Sequence, residues 1–125
     1  MIDKWLIVMA GGSLGAASRY GVGLLTARLW GTSFPYGTLV VNLAGCFVIG
    51  LLFALADRSR LLTPDVRLFL ITGYLGALTT FSSFSLETIV AGRTGLVQQA
   101  VTNILVNNLG CLALTYLGIR LGGLR

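Results

Sequence analysis

The chain has 125 residues, 55% of them hydrophobic and 10% charged, with a mean hydropathy of +0.87. Ordinary soluble domains carry roughly 25% charged residues, so this composition is that of a membrane protein. The formal net charge is +5, but Lys4, Arg19, Arg28, Arg58, Arg60, Arg67, Arg93, Arg120 and Arg125 are scattered. They build no basic patch, which argues against nucleic acid as a partner and makes them membrane-flanking anchors.

Histidine is absent, which removes the commonest general base and the commonest metal ligand, so an enzyme is not expected. The length fits one domain, residues 1–125, built on four apolar segments at 5–27, 38–56, 68–91 and 96–119. At 1.5 Å per residue even the shortest, 38–56, reaches about 29 Å, close to the thickness of a bilayer's hydrocarbon core. The expected class is therefore an all-α membrane protein with four transmembrane helices. No basic stretch with a short apolar core and a cleavage site opens the chain, so the first segment is expected to stay as structure.

The first segment carries Gly11, Gly12, Gly15 and Ala16, small residues at four-residue spacing that let helices approach closely. Arg19 lies about two-thirds of the way along it, where a charge is costly unless it faces protein or water. Two readings stand for Arg19: snorkelling to an interface, and attracting an anion. The connection RLWGTSFPYG (28–37) mixes Gly and Pro with interfacial Trp30 and Tyr36.

The second segment holds Asn42, Gly45, Cys46 and Gly50. The Asn42 amide needs partners, supplied by an interhelical hydrogen bond or by an ion. Cys46, like Cys111 in the fourth segment, sits in an apolar run where a reduced thiol behaves as a small hydrophobe, so free thiols and no metal site are expected. The charged connection DRSRLLTPD (57–65) ends in Thr63 and Pro64, an N-cap and first helical residue for the third segment.

The third segment contains GALTTFSSFS (76–85), five hydroxyls and two rings in ten residues, followed by Glu87. At 100° per residue Phe81, Phe84, Ser85 and Thr88 share one face and Thr80, Ser83 and Glu87 another. Gly73 and Gly76 ahead of Thr79 and Thr80 allow a mid-membrane break that would point bare carbonyls inward as ligands for a hard cation such as sodium. A helix merely kinked by back-bonding hydroxyls is the competing reading. The two rings could offer positive edges to an anion, or simply pack.

GRTG (92–95) makes a tight turn into the fourth segment, where Asn103, Asn107, Cys111 and Thr115 recur every four residues along one face. Such a stripe is either helix glue or the wall of something wet or ionic. An even number of spans puts both termini on one side. That side would hold six basic residues (Lys4, Arg58, Arg60, Arg67, Arg120, Arg125) against Arg28 and Arg93, which favours cytoplasmic termini. Four thin helices can hardly enclose a polar path alone, so at least a dimer is expected.

Over essentially the whole chain, GGSLGAASRY (11–20), GTLVVNLAGCFVIG (37–50) and GALTTFSSFSLE (76–87) resemble the Fluc (CrcB) family of bacterial fluoride channels. The resemblance implies a multi-pass protein of the bacterial inner membrane that lets cytoplasmic fluoride leave passively. It further implies an antiparallel, dual-topology homodimer with two pores, in which the third helix is broken near its middle. A structural Na+ would sit at the dimer centre, held by the backbone carbonyls of Gly76 and Thr79 from both subunits.

By the same resemblance Phe81 and Phe84 line the fluoride path, Asn42 is the pore amide, Arg19 the vestibule arginine and Glu87 a pore-adjacent carboxylate. A polar track would be formed by Ser82, Ser83 and Ser85 with Asn103, Asn107 and Thr115. Asn103 and Asn107 depart from the tyrosine and serine common in the family, and the six-to-two basic bias departs from dual insertion. The rivals are a small four-helix multidrug exporter, which would want its acid in the first segment rather than at Glu87, and a non-transporting assembly protein packed through its glycines.

Overall fold

A computed structural model describes residues 2–56 and 62–123. Every regular element among them is helical: α1 (Ile2–Trp30), α2 (Tyr36–Ala56), α3 (Pro64–Arg67), a π-helical stretch Leu68–Leu75, α4 (Gly76–Leu78), α5 (Phe81–Arg93) and α6 (Val97–Gly123). The pieces from Pro64 to Arg93 form one interrupted rod.

Three helices are both long and apolar enough to cross a membrane among the described residues: Tyr36–Ala56, Pro64–Arg93 and Val97–Gly123. α1 is longer than α2, at 29 residues against 21. Its glycines, its serines and Arg19 dilute its hydropathy. The first, second and last helices also start or end beyond the predicted apolar segments, because a backbone helix continues into interfacial residues where a hydropathy window stops.

Local chemistry explains most boundaries. The Thr63 hydroxyl accepts a hydrogen bond from the Val66 amide at 3.3 Å, with Pro64 in the first turn, as the sequence predicts. Gly95, at φ +85°, closes the 92–95 turn in a left-handed conformation that suits glycine, and the Leu96 amide donates back to the Ala91 carbonyl at 2.9 Å. The rod is interrupted at Thr79 (φ −81°, ψ 153°) and Thr80 (φ −151°, ψ 115°), both extended, so it is broken rather than kinked. Of the predicted charged connection, Asp57, Arg58, Ser59, Arg60 and Leu61 lie outside the described residues, as does Arg125.

Close backbone approach sets the packing. α2 packs chiefly on α6 and α1 on the π-helical stretch, while α5 leans on α6. A Cβ added at Gly50 would run into the Thr115 carbonyl, and one at Gly118 into the Phe47 carbonyl. On the other side Gly11 and Gly15 face the Phe69 and Tyr74 carbonyls, with Gly73 opposite Gly11. These small residues do for α1 what the four-residue spacing suggested, bringing helix axes close enough for dispersion contact where lipid offers no hydrophobic drive. Val41, Leu75 and Leu78 form the buried apolar centre, with Val22, Leu52 and Tyr74 packed around it.

Gly50→Ala and Gly118→Ala are each expected to destabilise the protein by about 1–3 kcal/mol through overpacking, read as a lower unfolding midpoint in detergent. Gly21→Ala, whose Cβ would meet nothing within 4 Å, should hold or raise stability, by up to about 1 kcal/mol. Equal shifts at all three positions would show that the α2–α6 approach does not limit stability.

Candidate functional site

The break in the rod is held from outside the rod. Asn42 on α2 turns its amide edge onto the backbone of Thr80: its Oδ1 accepts from the Thr80 amide at 2.8 Å and its Nδ2 donates to the Thr80 carbonyl at 3.2 Å. Asn42 is buried, so the two bonds satisfy backbone groups that water does not reach. Thr80 is also the N-cap of α5, where its Oγ1 accepts from the Ser83 amide at 3.1 Å. The Ser82 and Ser83 hydroxyls gather at 3.2 and 3.1 Å from that same oxygen.

A row of side chains continues from Asn42. Its Nδ2 also donates to Asn107 Oδ1 at 3.1 Å, Asn107 Nδ2 donates to Asn103 Oδ1 at 2.8 Å, and Asn103 Nδ2 donates to Thr88 Oγ1 at 2.9 Å. Thr88 then donates to the Phe84 carbonyl at 2.7 Å. Every donor points the same way along the row, and Asn103 and Asn107 are 1% and 4% exposed. These two asparagines are thus engaged with protein groups of α2 and α5. At the far end of the stripe Thr115 is half-buried and donates to the Cys46 carbonyl at 3.1 Å.

Two cavities flank the break. One, of about 920 Å³, is lined by Arg19, Thr38, Thr80, Ser83 and Glu87 among others. Within it Thr38 donates to Glu87 Oε1 at 2.7 Å, and Glu87 Oε2 is buried without a partner in the isolated chain. The other, of about 290 Å³, is lined by Asn42, Thr79, Thr80, Phe81, Phe84 and Asn107 with the two cysteines. Thr80 belongs to both walls, so the broken backbone is the partition between them. The rings of Phe81 and Phe84 lie 5.2 Å apart and tilted by 57°. Phe84 is buried while Phe81 is 74% exposed, and Ser82 and Ser85 are also exposed.

The face of Thr80, Ser83 and Glu87 thus meets the larger cavity, whereas the predicted ring face straddles the helix from buried Phe84 and Thr88 to exposed Phe81 and Ser85. Sequence reasoning missed Thr38. Its signal was there, since Thr38, Asn42, Cys46 and Gly50 repeat every four residues just as Asn103 to Thr115 do.

The break also frees oxygens. The Leu75 carbonyl keeps the Thr79 amide and hydroxyl, each at 3.0 Å. The Thr80 amide, which would serve the Gly76 carbonyl in an unbroken helix, goes to Asn42, and the Ser83 amide, which would serve Thr79, goes to Thr80 Oγ1. The Gly76 and Thr79 carbonyls therefore lose the amides that an unbroken helix would give them, and Gly76 lies on the exposed side. Such a donor set suits a hard monovalent cation, and no group of three His, Cys, Asp or Glu among the described residues competes for a softer one.

Residues 6–119 match the family described as CrcB-like protein, Camphor Resistance (CrcB). A protein of Aeromonas salmonicida is 47% identical over 120 residues, 96% of each chain. One from Dehalococcoides mccartyi is 47% identical over 119 residues, 95% of this chain and 92% of its own. One from Legionella pneumophila is 44% identical over 118 residues, 94% of this chain and 88% of its own. Each of the three is named a fluoride-specific ion channel.

Asn42→Ala and Asn107→Ala are each expected to cost about 1–3 kcal/mol by stranding buried polar groups. Together they should cost less than their sum by about 1 kcal/mol, since they share one hydrogen bond. A double-mutant cycle on unfolding midpoints checks this, and strict additivity would break the row at its first link.

Proposed function

We infer that this chain, which belongs to the CrcB-like family, is a fluoride-specific ion channel, a multi-pass membrane transporter and not an enzyme. The observation that carries the reading is near-full-length identity to proteins named for that activity. The site is compatible with it: ring edges, hydroxyls and amides offer an anion contacts without formal charge, weak enough to release it. Transport needs no coupling, since HF entering as the neutral acid dissociates inside, and an inside-negative potential drives the anion outward with about 2.3 kcal/mol per 100 mV.

Within this reading α1 is the fourth span, and two chains pair antiparallel about a two-fold axis through the broken rods, enclosing two pores in the inner membrane. Support comes from the exposed position of Gly76 and Phe81 in the isolated chain, which a second copy would cover. Gly76 and Thr79 carbonyls from both copies would hold a structural Na+, which would neutralise their converging dipoles. Arg19 draws fluoride into the larger cavity, on whose wall Glu87 is held by Thr38. Phe81 and Phe84, with Ser82, Ser83, Ser85, Asn42 and the Asn103–Asn107–Thr115 stripe, make the path onward.

Liposomes holding the purified protein and sodium are expected to release fluoride rapidly and chloride slowly, and no fluoride efflux would end the channel reading. Phe81→Ala should slow efflux at least about tenfold, equivalent to about 1.4 kcal/mol on the barrier, with little change in the folding of the single chain, where the ring is exposed. Normal flux in Phe81→Ala and Phe84→Ala alike would take the rings out of the path.

Gly76→Leu is expected to lower the dimer fraction and to abolish any rise of the unfolding midpoint with sodium. An unchanged dimer that keeps its sodium response would overturn the central cation site.

A further inference from the structure

We propose that Cys46 and Cys111 together form a site for a soft divalent cation that binds two thiolates in line, Hg2+ being the probe, and that its occupancy closes the path beside Phe81 and Phe84. The effect on conduction rests on the channel reading above; the binding does not.

The register of α2 against α6 brings the thiols together. Asn42 and Asn107 are joined by a hydrogen bond, and Cys46 and Cys111 stand four residues further along each helix, on the same faces. One turn further still, the Thr115 hydroxyl holds the Cys46 carbonyl, so the two helices are pinned on both sides of the pair. The thiols lie side by side, both unpaired with any other cysteine, half-buried, and both on the wall of the 290 Å³ cavity.

Charge and geometry select the ligand. Zinc would want four ligands, and here the neighbours are amides, hydroxyls and rings. A two-coordinate divalent ion needs only the pair: each thiol loses its proton, two metal–sulfur bonds form, and two protons leave. The product, a dication with two thiolates, is neutral, which the low-dielectric interior tolerates; a monovalent soft ion would leave a buried negative charge. The bound ion would also share the cavity with Phe81, Phe84 and Asn42 and take up part of the space they line.

The test titrates the reconstituted full chain with HgCl2. One equivalent per chain is expected to protect both thiols from a thiol reagent and to release two protons. Cys46→Ser and Cys111→Ser, each keeping one thiol, should hold the ion about a hundredfold less tightly against competing glutathione, since the second bond is then intermolecular. Cys46→Ala and Cys111→Ala serve if serine disturbs folding.

In liposomes the same equivalent should cut fluoride efflux at least about tenfold, as a filled constriction would, with recovery on dithiothreitol. The double variant, normalised to its own untreated flux, should not respond. Two ions per chain, or retention by either single variant as tight as in the parent, overturns the site; block of the double variant overturns its link to the path. One ion binding both thiols in a chain that conducts no fluoride would uphold the site and fell the channel reading instead.

Discussion

The pairing of the Asn42 amide with the Thr80 backbone is the constraint on which the rest of the molecule depends. A helix interrupted inside a membrane exposes amides and carbonyls that lipid cannot satisfy, each costing several kcal/mol, so a break persists only where side chains, an ion or a water-lined cavity replace the lost partners. Here one side chain meets both the amide and the carbonyl of a single residue, and the hydroxyl of that residue caps the helix that resumes. Asn42 can do this only if α2 stays in place. It does so because Gly50 and Gly118 let α2 and α6 touch backbone to backbone, and because Gly45 leaves room for the Thr79 methyl.

From Asn42 the same logic spreads outward. An amide that donates to Thr80 can donate again to Asn107, which can then serve Asn103, and so to Thr88 and the Phe84 carbonyl. The result is a buried polar row beside the apolar centre of Val41, Leu75 and Leu78, under an exterior that includes exposed leucines such as Leu105 and Leu109. A satisfied row of this kind is rigid, since each amide is oriented by the one before it. It fixes Phe84 by its backbone and Asn42 by its amide, and leaves Ser85 outside the row and exposed.

Much of this was legible in the sequence. The Thr63–Pro64 helix start, the turn at Gly95 and the weakness at Thr79–Thr80 each rest on local chemistry that acts within a few residues, and each is found. The stripe on α6 was legible as a stripe, but whether its asparagines face water or protein depends on which helix lies opposite, a tertiary fact with no local signal. The π-helical stretch Leu68–Leu75 was illegible for another reason, since its mostly apolar residues carry too little polar pattern to set a phase. Thr38 was overlooked because a threonine near a helix start has an ordinary explanation until Glu87 is seen beside it.

The two rings carry the last step. Phe81 and Phe84 are three residues apart and their centroids lie within contact, yet one is buried and the other open. The tilted pair contributes only about 0.5–1.5 kcal/mol, which leaves most of the exposed ring's surface without a protein partner. In the proposed antiparallel pair the exposed ring would instead face the second copy, so that each path is walled by both chains and a break stapled in one subunit positions a ring for its partner. The staple, the freed carbonyls and the half-exposed ring pair are then consequences of one interruption in one helix, seen from its three sides.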